Sequence, residues 1–116
     1  MELERLRDHL KQKPGATEEI PFGPGVLVYK VRNKMFALLA WEEDPLRINL
    51  KCDPEHAEGL RAIYPAVLPG YHMNKRHWNS VVLDGSIPPD VLEEMIADSY
   101  SLVARGPRGS GRKRPG

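Results

Sequence analysis

Between Pro69 and Gly85 the chain reads PGYHMNKRHWNSVVLDG, which crowds Tyr71, His72, Asn74, Lys75, Arg76, His77, Trp78 and Asn79 ahead of a short apolar run. Residues of these types can ligate a metal, serve a nucleophile or contact a nucleic acid. The metal option draws on His72, His77, His56 and Cys52, all suitable ligand types. No second cysteine or carboxylate frames the two histidines, and their HxxxxH spacing differs from the helical i, i+4 pair of zinc proteases. Cys52 with His56 or His77 has the parts of a thiolate–imidazole pair. A lone cysteine between a strand end and a helix start is more often a small core residue. Ser80 and Ser86 lack nucleophile-elbow surroundings, and GPGV at 23–26 lacks the lysine and spacing of a phosphate loop. The sequence therefore predicts no metal, no cofactor and no catalytic residue.

The nucleic-acid option draws on more residues. Lys30, Arg32 and Lys34 surround one tight turn, Lys75 and Arg76 a second, and Arg47 and Lys51 lie on the outward side of an intervening segment. Basic side chains at hairpin tips reach phosphates, with His77, Tyr71 and Trp78 available for polar or stacking contacts. If the two hairpins lie side by side, these seven cations share one region. Each type also has an ordinary structural role. Lysines at strand edges discourage aggregation, Tyr71 and Trp78 can fill a core, where Trp78 is expected, and Asn74 and Asn79 can satisfy turn amides.

The elements that must position these residues follow from hydrophobic periodicity. Leu3, Leu6 and Leu10 mark a helix over 2–13, stopped by Pro14-Gly15. TEEIPFGPG reads as an ordered loop. Strands are predicted at 26–32 and 35–41 around a turn at Asn33, with Leu27, Tyr29 and Val31 on one face and Val28, Lys30 and Arg32 on the other. The second is more continuously apolar and so central. LRINLKC at 46–52 alternates, with Leu46, Ile48 and Leu50 inward and Arg47, Asn49 and Lys51 outward. Asp53-Pro54-Glu55 opens a helix whose buried stripe is Ala57, Leu60 and Ile63. Pro65 and Pro69 bracket a short extended piece, followed by strands near 71–73 and 78–84 around Asn74-Lys75-Arg76. Pro88-Pro89-Asp90 opens a last helix with a stripe of Val91, Leu92, Met95, Ile96, Ser99, Leu102 and Val103. The order α-β-β-β-α-β-β-α predicts an α+β fold, helices packed on one antiparallel sheet.

The 116 residues suit one domain, over 1–104, followed by a disordered basic tail over 105–116. Five of the 17 basic residues lie from Arg105 onward, where no acid occurs, leaving 12 basic against 16 acidic residues before it. The body is not basic overall, so a nucleic-acid surface must be a local patch or the tail. No apolar run is long enough for a membrane span, the charged N-terminus MELERLRDHLKQK has no secretory h-region, and one cysteine rules out an internal disulfide. The expectation is a cytoplasmic protein with no membrane contact.

GATEEIPFGPGVLVYKVRNKMFALL, LKCDPEHAEGLR and PGYHMNKRHWNSVVLDGSIPPDVLEEMIADSYSLV together resemble the MmcQ/YjbR family across 1–104, with Tyr71–Ser80 close to the family's signature. The resemblance implies a two-layer fold on a curved antiparallel sheet, similar to frataxin-like and secretion-chaperone-like folds. It also implies a DNA-binding "double wing". The leading expectation is a DNA-binding protein contacting phosphates through Lys30, Arg32, Lys34, Arg47, Lys51, Lys75, Arg76 and His77. The alternative is a non-enzymatic protein-interaction module, monomeric or weakly dimeric, with an apolar patch on the sheet or a helix. A small-molecule enzyme comes third.

Overall fold

The computed structural model describes residues 2–20, 25–71 and 73–105. In chain order it contains α1 (Leu3–Lys11), β1 (Thr17–Glu19), β2 (Val26–Val31), β3 (Lys34–Ala40), β4 (Leu46–Lys51), α2 (Pro54–Ile63), β5 (Val67–Pro69), β6 (Trp78–Leu83) and α3 (Pro89–Ala104). The six strands form one antiparallel sheet in the order β1-β2-β3-β4-β6-β5. Three helices pack on it, so the fold is α+β as the element order predicts. No helix among the described residues is long and apolar enough to cross a membrane.

Register separates the two faces of the sheet. Leu27, Tyr29, Ala37, Leu39, Ile48, Leu50 and Val81 occupy the helix-bearing face and join Leu6, Leu10, Leu92, Ile96 and Val103 in one buried core. The opposite, open face carries a row that crosses the whole sheet: Glu19, Val28, Leu38, Asn49, Ser80 and Leu68. β3 is central, as its apolar run predicts.

The β2–β3 turn is a two-residue connection with φ of 55° at Arg32 and 63° at Asn33. Left-handed φ at both central residues matches the twist of the flanking strands. Asn33 tolerates that region, but an arginine there costs about 1 kcal/mol or more. Tyr29 pairs with Ala37 while Lys30 pairs with Met35, so Phe36 is an extra residue in β3. Its buried ring meets Tyr100 edge to face at 5.4 Å between centroids. Past this bulge the β3–β4 ladder ends at Ala37–Leu50. The Ser99 hydroxyl of α3 takes its place, accepting from Lys51 N at 2.8 Å and donating to Phe36 O at 2.5 Å.

Four expectations need correction. TEEIPFGPG contains a strand, β1, because Glu18 sits on the helix-bearing face, where Arg7 and the Tyr29 hydroxyl hold its carboxylate. That pairing keeps the Glu18 carboxyl below its usual range. Asn49 points outward by pattern yet is only 4% exposed, because a later loop covers it. Ile63 is 67% exposed and Leu102 is also at the surface; each helix covers less of the sheet than its stripe implies. At the described residues Tyr71 and Met73 the predicted strand does not form; instead, the bracketed piece forms β5, and its partner β6 begins at Trp78. The tail beyond Arg105 lies outside the described residues.

Ser99→Ala would leave Lys51 N and Phe36 O buried without a partner, and urea unfolding is expected to show a loss of about 2 kcal/mol. His9 supplies a pH test. Its Nε2 is buried without a hydrogen-bond partner among the described residues, and burial, aided by Lys13 and opposed by Glu93, holds its pKa below the ordinary 6.5. The unfolded chain therefore takes up this proton first. Stability is expected to fall as pH drops through about 6.5, before any carboxylate titrates. In His9→Gln the urea midpoint should fall less over that window than in the unaltered chain.

Candidate nucleic-acid interface

The antiparallel register places both basic connections at one end of the sheet. Lys51 lies opposite Trp78, and Cys52 N donates to His77 O at 2.8 Å, so the start of β6 stands beside the end of β4. The β2–β3 turn projects from that same end, one strand further along. Arg32, Lys34, Lys75 and Arg76 are exposed there, with Lys51 and His77 half-buried between them. Among the described residues, no carboxylate lies within ion-pair distance of Arg32, Lys34, Lys51, Lys75 or Arg76. The hairpins do not lie side by side. β4 separates β3 from β6, a gap of about 10 Å at ordinary strand spacing.

Two of the sequence-nominated cations stand apart. Lys30 is paired with Glu19 at 3.1 Å. Arg47 lies at the far end of β4, 3.6 Å from Glu43, its guanidinium 4.8 Å from the centroid of the Tyr71 ring.

The signature loop is built by buried polar groups. Tyr71 N donates to Ser80 Oγ at 2.7 Å, Ser80 Oγ donates to Asn49 Oδ1 at 2.5 Å, and Asn49 Nδ2 donates to Tyr71 O at 3.3 Å. This closed triangle ties the start of the loop to the open face. From the helical side, Arg61 of α2 donates Nε to Asn79 Oδ1 at 2.7 Å and Nη2 to Lys75 O. The loop thus turns round the end of β6 with a clamp on each face. Gly70 makes the close approach possible, since a Cβ there would stand 2.7 Å from Trp78 Cβ.

Trp78 is buried as expected and Asn74 Oδ1 caps Arg76 N as expected. Asn79 satisfies Arg61 rather than a turn, and Tyr71 is 53% exposed, with its ring under Arg47 instead of in the core. His72 lies outside the described residues. Arg61 and Ser99 had no signal of their own: a helix-surface arginine and a serine within an apolar stripe look the same whether or not they reach across the fold.

The open face also has a groove of about 440 Å³ beside this loop, floored by Val26, Met35, Leu38 and Ala40. It is an exposed apolar surface of the kind an interaction module needs.

Cys52 sits on the helical side at the same end. Burial first, then Asp98 and Asp53, push its thiol up to about 11. That leaves almost no thiolate at neutral pH. The adjoining cavity, about 10 Å³, holds a single water at most. His56 is 3.9 Å from Asp98, both half exposed. Among the described residues no three His, Cys, Asp or Glu side chains group closely enough to hold a metal.

Comparison with known proteins gives a consistent answer. Residues 11–102 match the YjbR family model. The chain is 43% identical over 98 residues to the uncharacterized protein YbdF of Escherichia coli O157:H7, covering 83% of this chain and 80% of that one. It is 34% identical over 100 residues to the uncharacterized protein YjbR of Escherichia coli strain K12, covering 86% and 85%. Among solved structures, the crystal structure of Deinococcus radiodurans protein DR2400, of the DUF419 domain family, superposes with a TM-score of 0.85 at 41% identity, covering 90% of this chain and 79% of that one. A Pseudomonas syringae protein superposes at 0.76 with 29% identity, covering 88% and 98%.

Ser80→Ala removes both the acceptor of Tyr71 N and the donor to Asn49. The expected result is a loss of about 1–3 kcal/mol. Amide exchange should become faster at Tyr71 and stay unchanged in α3.

Proposed function

The chain belongs to the YjbR family, and from that premise and the charge layout of its fold we propose that it binds duplex DNA through the phosphate backbone, with the two basic connections as wings. The contact set is Arg32, Lys34, Lys51, Lys75 and Arg76, with His77 as a polar aid. Lys30 and Arg47, already engaged by Glu19 and Glu43, are left out. Two tips about 14 Å apart, three strand spacings from the β2–β3 turn to the connection between β5 and β6, suit phosphates flanking the major groove, which is about 12 Å wide in B-DNA. The acidic remainder of the body turns this end toward the duplex and the other faces away.

The single observation that carries this reading is Arg32 at φ 55°. Glycine or asparagine would fill that position at lower cost. An exposed arginine held there is strain located at the candidate contact.

The test is fluorescence anisotropy of a labelled duplex at several salt concentrations, with the full chain and with a chain ending at Arg105. Five phosphate contacts predict a log–log salt slope of about −4 to −5 for the shortened chain. Lys34→Glu with Lys75→Glu should abolish its binding with circular dichroism unchanged. Arg32→Gly should weaken binding while leaving stability equal or higher. Binding carried only by residues after Arg105, or a double variant that still binds, would refute the wing assignment.

A further inference from the structure

We propose that the groove on the open face of the sheet is a binding site for a small organic cation, an apolar or aromatic body carrying an amine. Its volume of about 440 Å³ lies within the range of small-molecule sites, and its floor is hydrocarbon with few polar atoms. Tyr71 and Met73 of the loop wall one part, and Glu42 and Glu43 beyond β3 wall another. Walls on both sides suit a short occupant rather than a strand running through. Met35 and Met73 bring flexible, polarizable thioethers that adapt to an aromatic body.

The charge of the ligand follows from what the lining leaves uncompensated. The groove contains two carboxylates and one guanidinium. Arg47 is engaged by Glu43 at 3.6 Å and lies over Tyr71. Among the described residues, Glu42 has no cation within ion-pair distance. Glu42 also borders Gly25. Its side chain folds against Gly25, where a Cβ would stand 2.6 Å from Oε1, and Gly25 has a φ of 95° that only glycine adopts freely. An uncompensated carboxylate lying against Gly25 at the edge of an apolar groove can accept a charge-assisted hydrogen bond from an ammonium group. An anionic ligand of the same shape would meet Glu42 instead.

The carboxylate wall of the groove is set apart from the wings, since Val26, Ala40 and Arg47 share a register row at the opposite end of the sheet, whereas Tyr71 and Met73 belong to the loop that carries Lys75 and Arg76. Glu42→Gln and the Lys34→Glu/Lys75→Glu pair therefore test the two proposals separately.

Tryptamine and indole-3-propionate have the same apolar body with opposite charges and serve as probes. Each is titrated to about 10 mM into the full chain while amide shifts are followed by NMR. Tryptamine is expected to move Val26, Leu38 and Asn49 saturably with a Kd of about 1 mM or tighter, and indole-3-propionate to bind at least about tenfold more weakly. Glu42→Gln, at an exposed position, should fold normally and erase that preference. The proposal is overturned if both probes bind equally, if shifts fall on other faces, if neither probe binds, or if Glu42→Gln keeps the preference.

Discussion

One buried hydroxyl holds the architecture together where the sheet parts. The extra residue at Phe36 takes β3 out of step with its neighbours, and the ladder to β4 stops at Ala37–Leu50. Lys51 N and Phe36 O would then be orphaned in the interior, which the fold does not tolerate. Ser99 satisfies both. The same contact locks α3 across the two halves of the sheet, so the helix sits where a hydrogen-bond deficit requires it as well as where its apolar stripe fits.

Elsewhere, too, the fold relies on a few enclosed polar groups to secure segments with little apolar surface to bury. Arg7, Glu18 and Tyr29 fasten α1 and β1 to the edge of the sheet. Asn49 and Ser80 fasten the signature loop from one side, and Arg61 from the other. Such networks favour one geometry because alternatives leave more buried donors and acceptors unpaired, although Asn79 Nδ2 itself has no partner among the described residues. These attachments hold the loop at Tyr71 and Lys75 while the Lys75 and Arg76 side chains remain exposed. This explains how one stretch can be crowded with polar residues for structural reasons alone.

The legible parts of the sequence were those governed by period and capping. The 26–40 hairpin, the Asp53-Pro54 helix start and the α3 stripe follow from apolar spacing and turn residues, and all three are present. β1 escaped notice because a glutamate on its buried side contradicts the pattern, and its partners lie 11 residues to either side. Asn49 lies on the open face its alternation predicts, but alternation tells which face a residue occupies, not what later covers that face, and the loop at Tyr71 buries it. Within the candidate site, turn chemistry placed Arg32, Lys34, Lys75 and Arg76 at tips. The neutralisation of Lys30 by Glu19 depends on a strand that the pattern did not reveal. The triangle under Tyr71 and the clamp by Arg61 are tertiary facts with no local signature.

The two outermost strands, β1 and β5, are three residues each, and β5 ends on Pro69, which has no amide hydrogen to offer. A sheet with such margins gives a neighbouring chain almost nothing to continue. Among the described residues, strand addition at either margin therefore finds little backbone to pair with.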